Sequence, residues 1–137
     1  QPDNRSERIL TPHPGEAARL LGTTTIAIQT DRCAAVLSLQ ERFGGTAILK
    51  RAGSRIATTD AIHLCPWGNP GMASGGMGDL LAGIIGALHA QGLGPDNAAC
   101  AGVMVHARAG DDAALVAGER GLMASDLLPF LQQRVNP

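Results

Sequence analysis

The residues best suited to chemistry lie in one run, Asn69-Pro-Gly-Met-Ala-Ser-Gly-Gly-Met-Gly-Asp79, a glycine-rich loop that ends in a carboxylate and leads into the apolar segment Leu80 to Leu88. Gly71, Gly75, Gly76 and Gly78 are packed into this short stretch. Glycine lets backbone N–H groups crowd around phosphate oxygens at positive φ, where a side chain would clash. A helix starting at the end of the loop adds unpaired N–H groups and the positive end of its dipole. An anion loop is therefore expected at Gly75, Gly76 and Met77, with Gly78 beside it. Asp79 is the odd member, because a negative charge at a phosphate site repels the ligand unless it does chemistry or holds a cation. It is the candidate catalytic base. Taken alone, a glycine loop before a helix is structural as often as functional, and Gly-x-Gly patterns are weak signals.

Around this loop, short strand-like apolar runs alternate with longer helical ones, which predicts the α/β class. Ile9-Leu10 reads as the end of a strand, broken by Thr11-Pro12-His13-Pro14, where two prolines forbid regular pairing. Glu16 to Leu21 reads as one or two helical turns closed by Gly22, and Thr30 as the N-cap of a second helix from Asp31 to Phe43. Thr46 to Leu49 is a compact strand, and a turn at Gly53 joins it to a hairpin partner from Arg55 to Thr58. The helix after the glycine loop is apolar nearly all round and is expected to be buried on most sides. Gly83 and Gly86 cost it about 1 kcal/mol each against alanine, which close approach of another backbone would explain. Gly94-Pro95 opens an alanine-rich helix over Ala98 to Ala109, with Asp111 to Ala117 as its continuation. Ser125-Asp126 caps a terminal helix through Val135, where Pro129 is expected to cost a hydrogen bond. These strands are too few for the helices, since a layered α/β domain needs a wider sheet to bury so much apolar helix surface. The chain is predicted to be a fragment whose central helix is covered by an absent N-terminal part or by neighbouring copies.

Composition narrows the partners. A chain of 137 residues with 45% hydrophobic content can bury one core and is most simply one domain. Eleven basic residues against 12 acidic ones leave a net charge of −1, with no basic stripe to follow a nucleic-acid backbone and only 2% aromatics to stack bases. No segment approaches the roughly 20 apolar residues of a membrane span, and Gln1 to Glu7 is polar rather than signal-like. No nucleic acid and no membrane are expected as partners, and a cytoplasmic location is. Cys33, Cys65 and Cys100 are odd in number and far apart, so they are read as inert thiols rather than a disulfide framework or a CxxC metal site. His63, His89 and His106 lack ligand spacing, and no metal site is predicted. Trp67 is read as a loop anchor, and Met72 and Met77 as packing residues.

Thr11-Pro-His-Pro-Gly-Glu16, Leu49-Lys50 with the Ala52-Gly53-Ser54 turn, Asn69 to Gly83, and Gly121-Leu-Met-Ala-Ser-Asp126 occur in the order and spacing of a known set of landmarks. They resemble the ADP-dependent NAD(P)H-hydrate dehydratase family over essentially the whole chain. Arg134 to Pro137 is similar to the C-terminus of bacterial bifunctional forms that carry an epimerase domain upstream. The resemblance implies a ribokinase-like three-layer fold with a central, mostly parallel sheet, of which 1–137 would be the C-terminal portion of a single domain. It also implies an activity: the S form of hydrated NADH or NADPH (NADHX, NADPHX) is dehydrated while ADP, with Mg2+, is cleaved to AMP and phosphate. Homo-oligomers are implied as well.

Carried over by position, the family pattern makes His13 and Asp79 contacts to the hydrated dinucleotide and places the adenine nucleotide on Lys50, Arg51, Ala52, Gly53, Ser54 and Gly78. Chemistry agrees at Lys50, whose ammonium can neutralise phosphate, and at Gly53, which opens backbone N–H groups to a ligand. Arg51 departs from the family, which usually has glycine there, and it is expected to point outward. His13 has a plainer reading as a helix cap, Lys50 as a solvated strand end, and Glu16 as a first-turn acid stabilised by the helix dipole. Two other functions stay open: a non-catalytic nucleotide-binding or assembly fragment, and a ribokinase-like small-molecule kinase.

Overall fold

In the computed structural model, which describes residues 6–136, the chain runs β1 (Ile9–Leu10), α1 (Pro14–Leu21), α2 (Thr25–Thr30), α3 (Arg32–Phe43), β2 (Thr46–Leu49), β3 (Arg55–Ala57) and β4 (Ile62–Leu64), then α4 (Met77–Ala90), α5 (Pro95–Ala117) and α6 (Leu128–Val135). Short 3-10 turns at Pro70–Met72 and Ala124–Leu127 precede α4 and α6. The four strands form one sheet in the order β1-β2-β3-β4. β1 pairs with β2 in parallel, Ile9 opposite Thr46, while β2-β3 and β3-β4 are antiparallel, with Ile56 opposite both Ile48 and His63. The described sheet is thus mixed rather than mostly parallel. Its connections explain this: three helices carry the crossover from β1 to β2, whereas tight turns join the later strands, and a tight turn can only make antiparallel neighbours.

All four residues of β2 are buried because helices cover both faces of the sheet. Ala47 and Leu49 point into a core with Ala17, Ile28, Val36 and Leu39 of the first three helices. Ile48 and Ile56 point the other way, onto Leu81 and Ile85 of α4 and Val103 and Ala107 of α5. The period of two in the strand therefore builds a three-layer α/β arrangement. A third cluster of Met77, Ala109, Ala113, Leu122 and Leu127 joins the start of α4 to α5 and the chain's end.

Several expectations change in detail. The cap of α3 is Asp31, whose Oδ1 accepts from Ala34 N at 2.9 Å; Thr30 instead closes α2, donating its hydroxyl to Ile26 O at 2.9 Å. α2 and β4 were not expected. Gly110 does not interrupt α5, which is one helix of 23 residues. Pro129 is the second residue of α6, directly after the 3-10 turn Ala124–Leu127. α4 is buried only along Met77, Leu81 and Ile85, while Ala82, Gly83, Gly86 and Ala87 are exposed. A Cβ built on Gly83 or Gly86 would meet no atom within 4 Å, so no backbone of the described residues approaches there. The narrow sheet covers one stripe of this helix and leaves the opposite one open.

Candidate functional site

His13 and Glu16 at the start of α1, Lys50 at the end of β2 and Gly78 come from three separate parts of the chain and meet at the head of α4. His13 is the N-cap of α1: its Nδ1 accepts from Gly15 N at 3.0 Å and Glu16 N at 3.3 Å, and its own N–H donates to Glu16 Oε2 at 2.7 Å. This closes a reciprocal cap around the proline that starts the helix. Accepting at Nδ1 puts the neutral ring's proton on Nε2, which lies 3.4 Å from Glu16 Oε1. The His13 backbone N–H holds the Glu16 carboxyl below its ordinary pKa against the opposing effect of burial, and the Lys50 charge adds a smaller push in the same direction as the N–H. Lys50 Nζ is 3.9 Å from Glu16 Oε2 and borders Gly78, where a Cβ would fall 3.0 Å from it. The Lys50 backbone N–H, donating to Pro12 O at 3.0 Å, ties the strand end to the His13 loop.

The glycine loop keeps its expected place but not its expected conformation. Of its four glycines only Gly76 has positive φ, at 86°, as the N-cap of α4. Gly71 is required for contact, since the carbonyl of Glu119 lies against it, and Gly78 leaves room for Lys50. Gly75 is exposed, with open space where a Cβ would stand. Ser74 Oγ donates to Leu122 O at 2.9 Å, which fastens the loop to the Gly121 to Asp126 landmark. Met77 is buried, as a packing residue should be. Asp79 is exposed in the first turn of α4, and among the described residues no hydrogen bond or ion pair engages its carboxylate. A free carboxylate, a cationic ammonium and the unpaired amides of a helix N-terminus thus stand together. Such a set can bind an anion and take a proton from a neighbouring hydroxyl.

Residues 50–54 form the turn between β2 and β3. Arg51 is exposed, as expected, but at φ 154°, a conformation that favours the glycine usual in the resembled family. Ser54 Oγ donates to Arg51 O at 3.0 Å, and Arg55 Nη1 reaches Gly53 O. Arg32, at the start of α3, was missed by sequence reasoning: its Nη1 donates to Ala52 O at 2.7 Å and its Nη2 to Leu49 O at 3.5 Å, stapling the turn from beneath. Burial depresses its pKa, and the charges of Arg55 and Arg51 add to the effect. Nothing in local sequence links Arg32 to a turn twenty residues on.

Beneath the site, α5 carries His106, 8% exposed, with its Nε2 unpaired among the described residues and its ring near the Met77 backbone. Trp67 is anchored by Arg108, whose guanidinium lies 5.0 Å from the ring centroid. Burial pushes the Cys65 and Cys100 thiol pKa values up, which disfavours the nucleophilic thiolate, while Cys33 is exposed. Among the described residues no three His, Cys, Asp or Glu converge as a metal site, and no helix is long and apolar enough to cross a membrane.

With this geometry in view, comparisons with known proteins agree. A family profile described as NAD(P)H-hydrate dehydratase matches residues 1–133. The bifunctional NAD(P)H-hydrate repair enzyme Nnr of Coxiella burnetii is 53% identical over 99% of this chain and 28% of its own length. The ADP-dependent (S)-NAD(P)H-hydrate dehydratase of Neisseria meningitidis is 48% identical over 93% of this chain and 45% of its own. Among solved structures, the ADP/ATP-dependent NAD(P)H-hydrate dehydratase from Bacillus subtilis, co-crystallized with ATP/Mg2+ and soaked with CoA, superposes with a TM-score of 0.82 at 30% identity, over 92% of this chain and 47% of that one. A ribokinase-like superfamily protein from Enterococcus faecalis does so with a TM-score of 0.73 at 30% identity, over 94% of this chain and 45% of that one. The chain therefore spans less than half of each of these relatives.

Proposed function

The chain belongs to the NAD(P)H-hydrate dehydratase family, and from that premise we propose that the protein carrying it dehydrates the S form of hydrated NADH or NADPH while splitting ADP into AMP and phosphate. The ribokinase-like fold and the relatives' length support reading 1–137 as the C-terminal portion of one dehydratase domain. The bifunctional relative supports an epimerase domain upstream.

The observation that carries the reading is the unpartnered Asp79 carboxylate at the head of α4, one residue beyond the glycine that receives Lys50. The hydroxyl of the hydrate is a poor leaving group. Asp79 takes its proton as the oxygen attacks the β-phosphorus of ADP, and the bond to the bridging oxygen breaks with its electrons leaving on AMP. Charge gathering on the transferring group is met by the Gly75, Gly76, Met77 and Gly78 amides and by Lys50. The ring nitrogen then expels phosphate, and loss of a proton from the adjacent carbon restores the dihydronicotinamide double bond. His13 contacts the dinucleotide through Nε2, the ring nitrogen that does not cap the helix and that lies 3.4 Å from Glu16 Oε1, and residues 50–54 hold the nucleotide. A magnesium ion entering with the nucleotide would be held mainly by phosphate oxygens and water, because no side-chain cage converges among the described residues.

Self-association and a cytoplasmic workplace belong to the same proposal. Exposed Leu115, Val116 and Met123 support the first, and the three unpaired cysteines support the second. Turnover of hydrated NADPH with ADP by the full-length protein, read as equal amounts of NADPH and phosphate, tests the function. Asp79→Asn is expected to lower kcat roughly 10²–10⁴-fold, the usual size of general-base catalysis. Near-normal turnover by that variant would overturn Asp79 as the base, and accumulation of a stable phosphorylated alcohol would make the protein a kinase instead.

A further inference from the structure

The glycine loop does not hold its own shape; α5 holds it at three points. At its start, Asp111 Oδ2 accepts from Gly68 N at 3.0 Å and Asp111 Oδ1 accepts from Asn69 Nδ2 at 3.0 Å. Asn69 then turns its own carbonyl inward, with Oδ1 accepting from Gly71 N at 3.1 Å. At the preceding residue, Gly110 is bare because Met72 packs on it, and about one helical turn before that His106 sits by the Met77 backbone, where α4 begins. The spacing 106, 110, 111 puts these residues along one side of α5. The first contact is the one made by a carboxylate, and it fixes three donors, Gly68 N, Asn69 Nδ2 and Gly71 N, in a single chain.

We propose that Asp111 is a positioning residue for the reaction: through Asn69 it sets the course of residues 68–71 and thereby the placement of the anion-holding amides and of Asp79. This rests on the reading of Asp79 and the glycine loop as the reacting site. Asp111 touches no reacting atom, and its effect passes through the loop. The donor count makes the arrangement specific. Asp111 must accept twice, while Asn69 must donate once and accept once. Replacing the carboxylate by an amide leaves one N–H facing another N–H whichever way Asn69 is flipped. Asn69→Asp alone sets two carboxylates against each other. Making both changes together restores every bond, since the amide at 111 then accepts from Gly68 and donates to the carboxylate at 69, which still accepts from Gly71.

The experiment compares Asp111→Asn, Asn69→Asp and the double exchange in the full-length protein by amide hydrogen exchange and by kcat and KM for hydrated NADPH. Each single variant is expected to speed exchange at residues 68–78 at least tenfold, leave exchange in α1 and the β2-β3 hairpin unchanged, and lower kcat at least tenfold. The double variant is expected to return both readings to within threefold of wild type. Unchanged loop exchange, uniform acceleration across the whole chain, or no recovery in the double variant would overturn the proposal. Should the wild-type protein prove inactive on hydrated cofactor, the functional reading fails, and hydrogen exchange still decides whether Asp111 positions the loop.

Discussion

Gly78 has no side chain because Lys50 needs the space, and this separates site from fold at the level of one residue. A Cβ there would meet only Lys50 Nζ, at 3.0 Å, the far end of a flexible chain that can swing away at little cost. Gly78→Ala is therefore expected to leave the urea midpoint nearly unchanged while lowering kcat/KM for ADP roughly tenfold, about the worth of one charge-assisted contact. Equal kcat/KM in the variant would show that the ammonium's place beside the helix is incidental. Arg51 presents the opposite case, a side chain where the backbone asks for none. At φ 154° any residue with a Cβ is strained, at a cost of about 1–3 kcal/mol. Arg51→Gly is expected to be more stable than Arg51→Ala by about 1 kcal/mol in urea unfolding, because both remove the guanidinium and only glycine relaxes the turn. Equal stability of the two variants would place the strain elsewhere.

At the scale of elements, α4 carries a contradiction that depends on what lies against it. Within the described residues its Gly83 and Gly86 face open space, so Gly86→Ala should stabilise the 137-residue chain by about 1 kcal/mol through helix propensity alone. In a protein of the relatives' length, further chain lying on that face would meet the same methyl group, and the expected sign reverses. Thermal melting of both forms with and without the substitution checks this, and a gain in both would mean the stripe is left bare. The apolar run Leu80 to Leu88 announced the helix but could not say which side is covered, because the sheet in reach is narrow. β2, the Gly22 stop of α1 and the end of α3 at Phe43 were legible because local chemistry specifies them, whereas the Pro14 start of α1 and the Asp31 cap of α3 were misplaced by one or two residues. α2 was not, since its TIAIQT sequence is β-branched, shows no amphipathic period and exposes Ile26. β4 was missed because all three of its residues are exposed, leaving pairing with β3 as its support. In the candidate site, the glycine loop and Asp79 could be named from residue types and spacing, and Lys50 from the family resemblance. Arg32 and Asp111 could not, since each bonds a segment twenty or more residues away.

Over the whole molecule, the site's foundation and the fold's pH response meet in His106. Its ring is buried beneath the first residue of α4, within a layer that also holds Met77, Ala109 and Leu127 in the third core cluster. Burial lowers its pKa from the 6.5 of an exposed imidazole to about 4, against a small opposing effect of the Met77 backbone. The native state therefore refuses a proton that the unfolded chain accepts, so the unfolded state binds more protons between these two values and stability falls as pH falls through that window. The contribution is intact above pH 6.5 and is lost progressively toward pH 4, on the order of 3 kcal/mol in all. Glu16 and Asp112 have lowered pKa values, the first from its His13 N–H bond and the second from its Arg134 pair, and both weaken the fold only below the ordinary carboxylate values of 4.5 and 3.8. The interval from pH 6.5 to 4.5 thus belongs to His106. Urea unfolding across that interval should show stability dropping in the wild type and nearly level in His106→Gln, and parallel slopes in the two proteins would remove the buried imidazole as the cause.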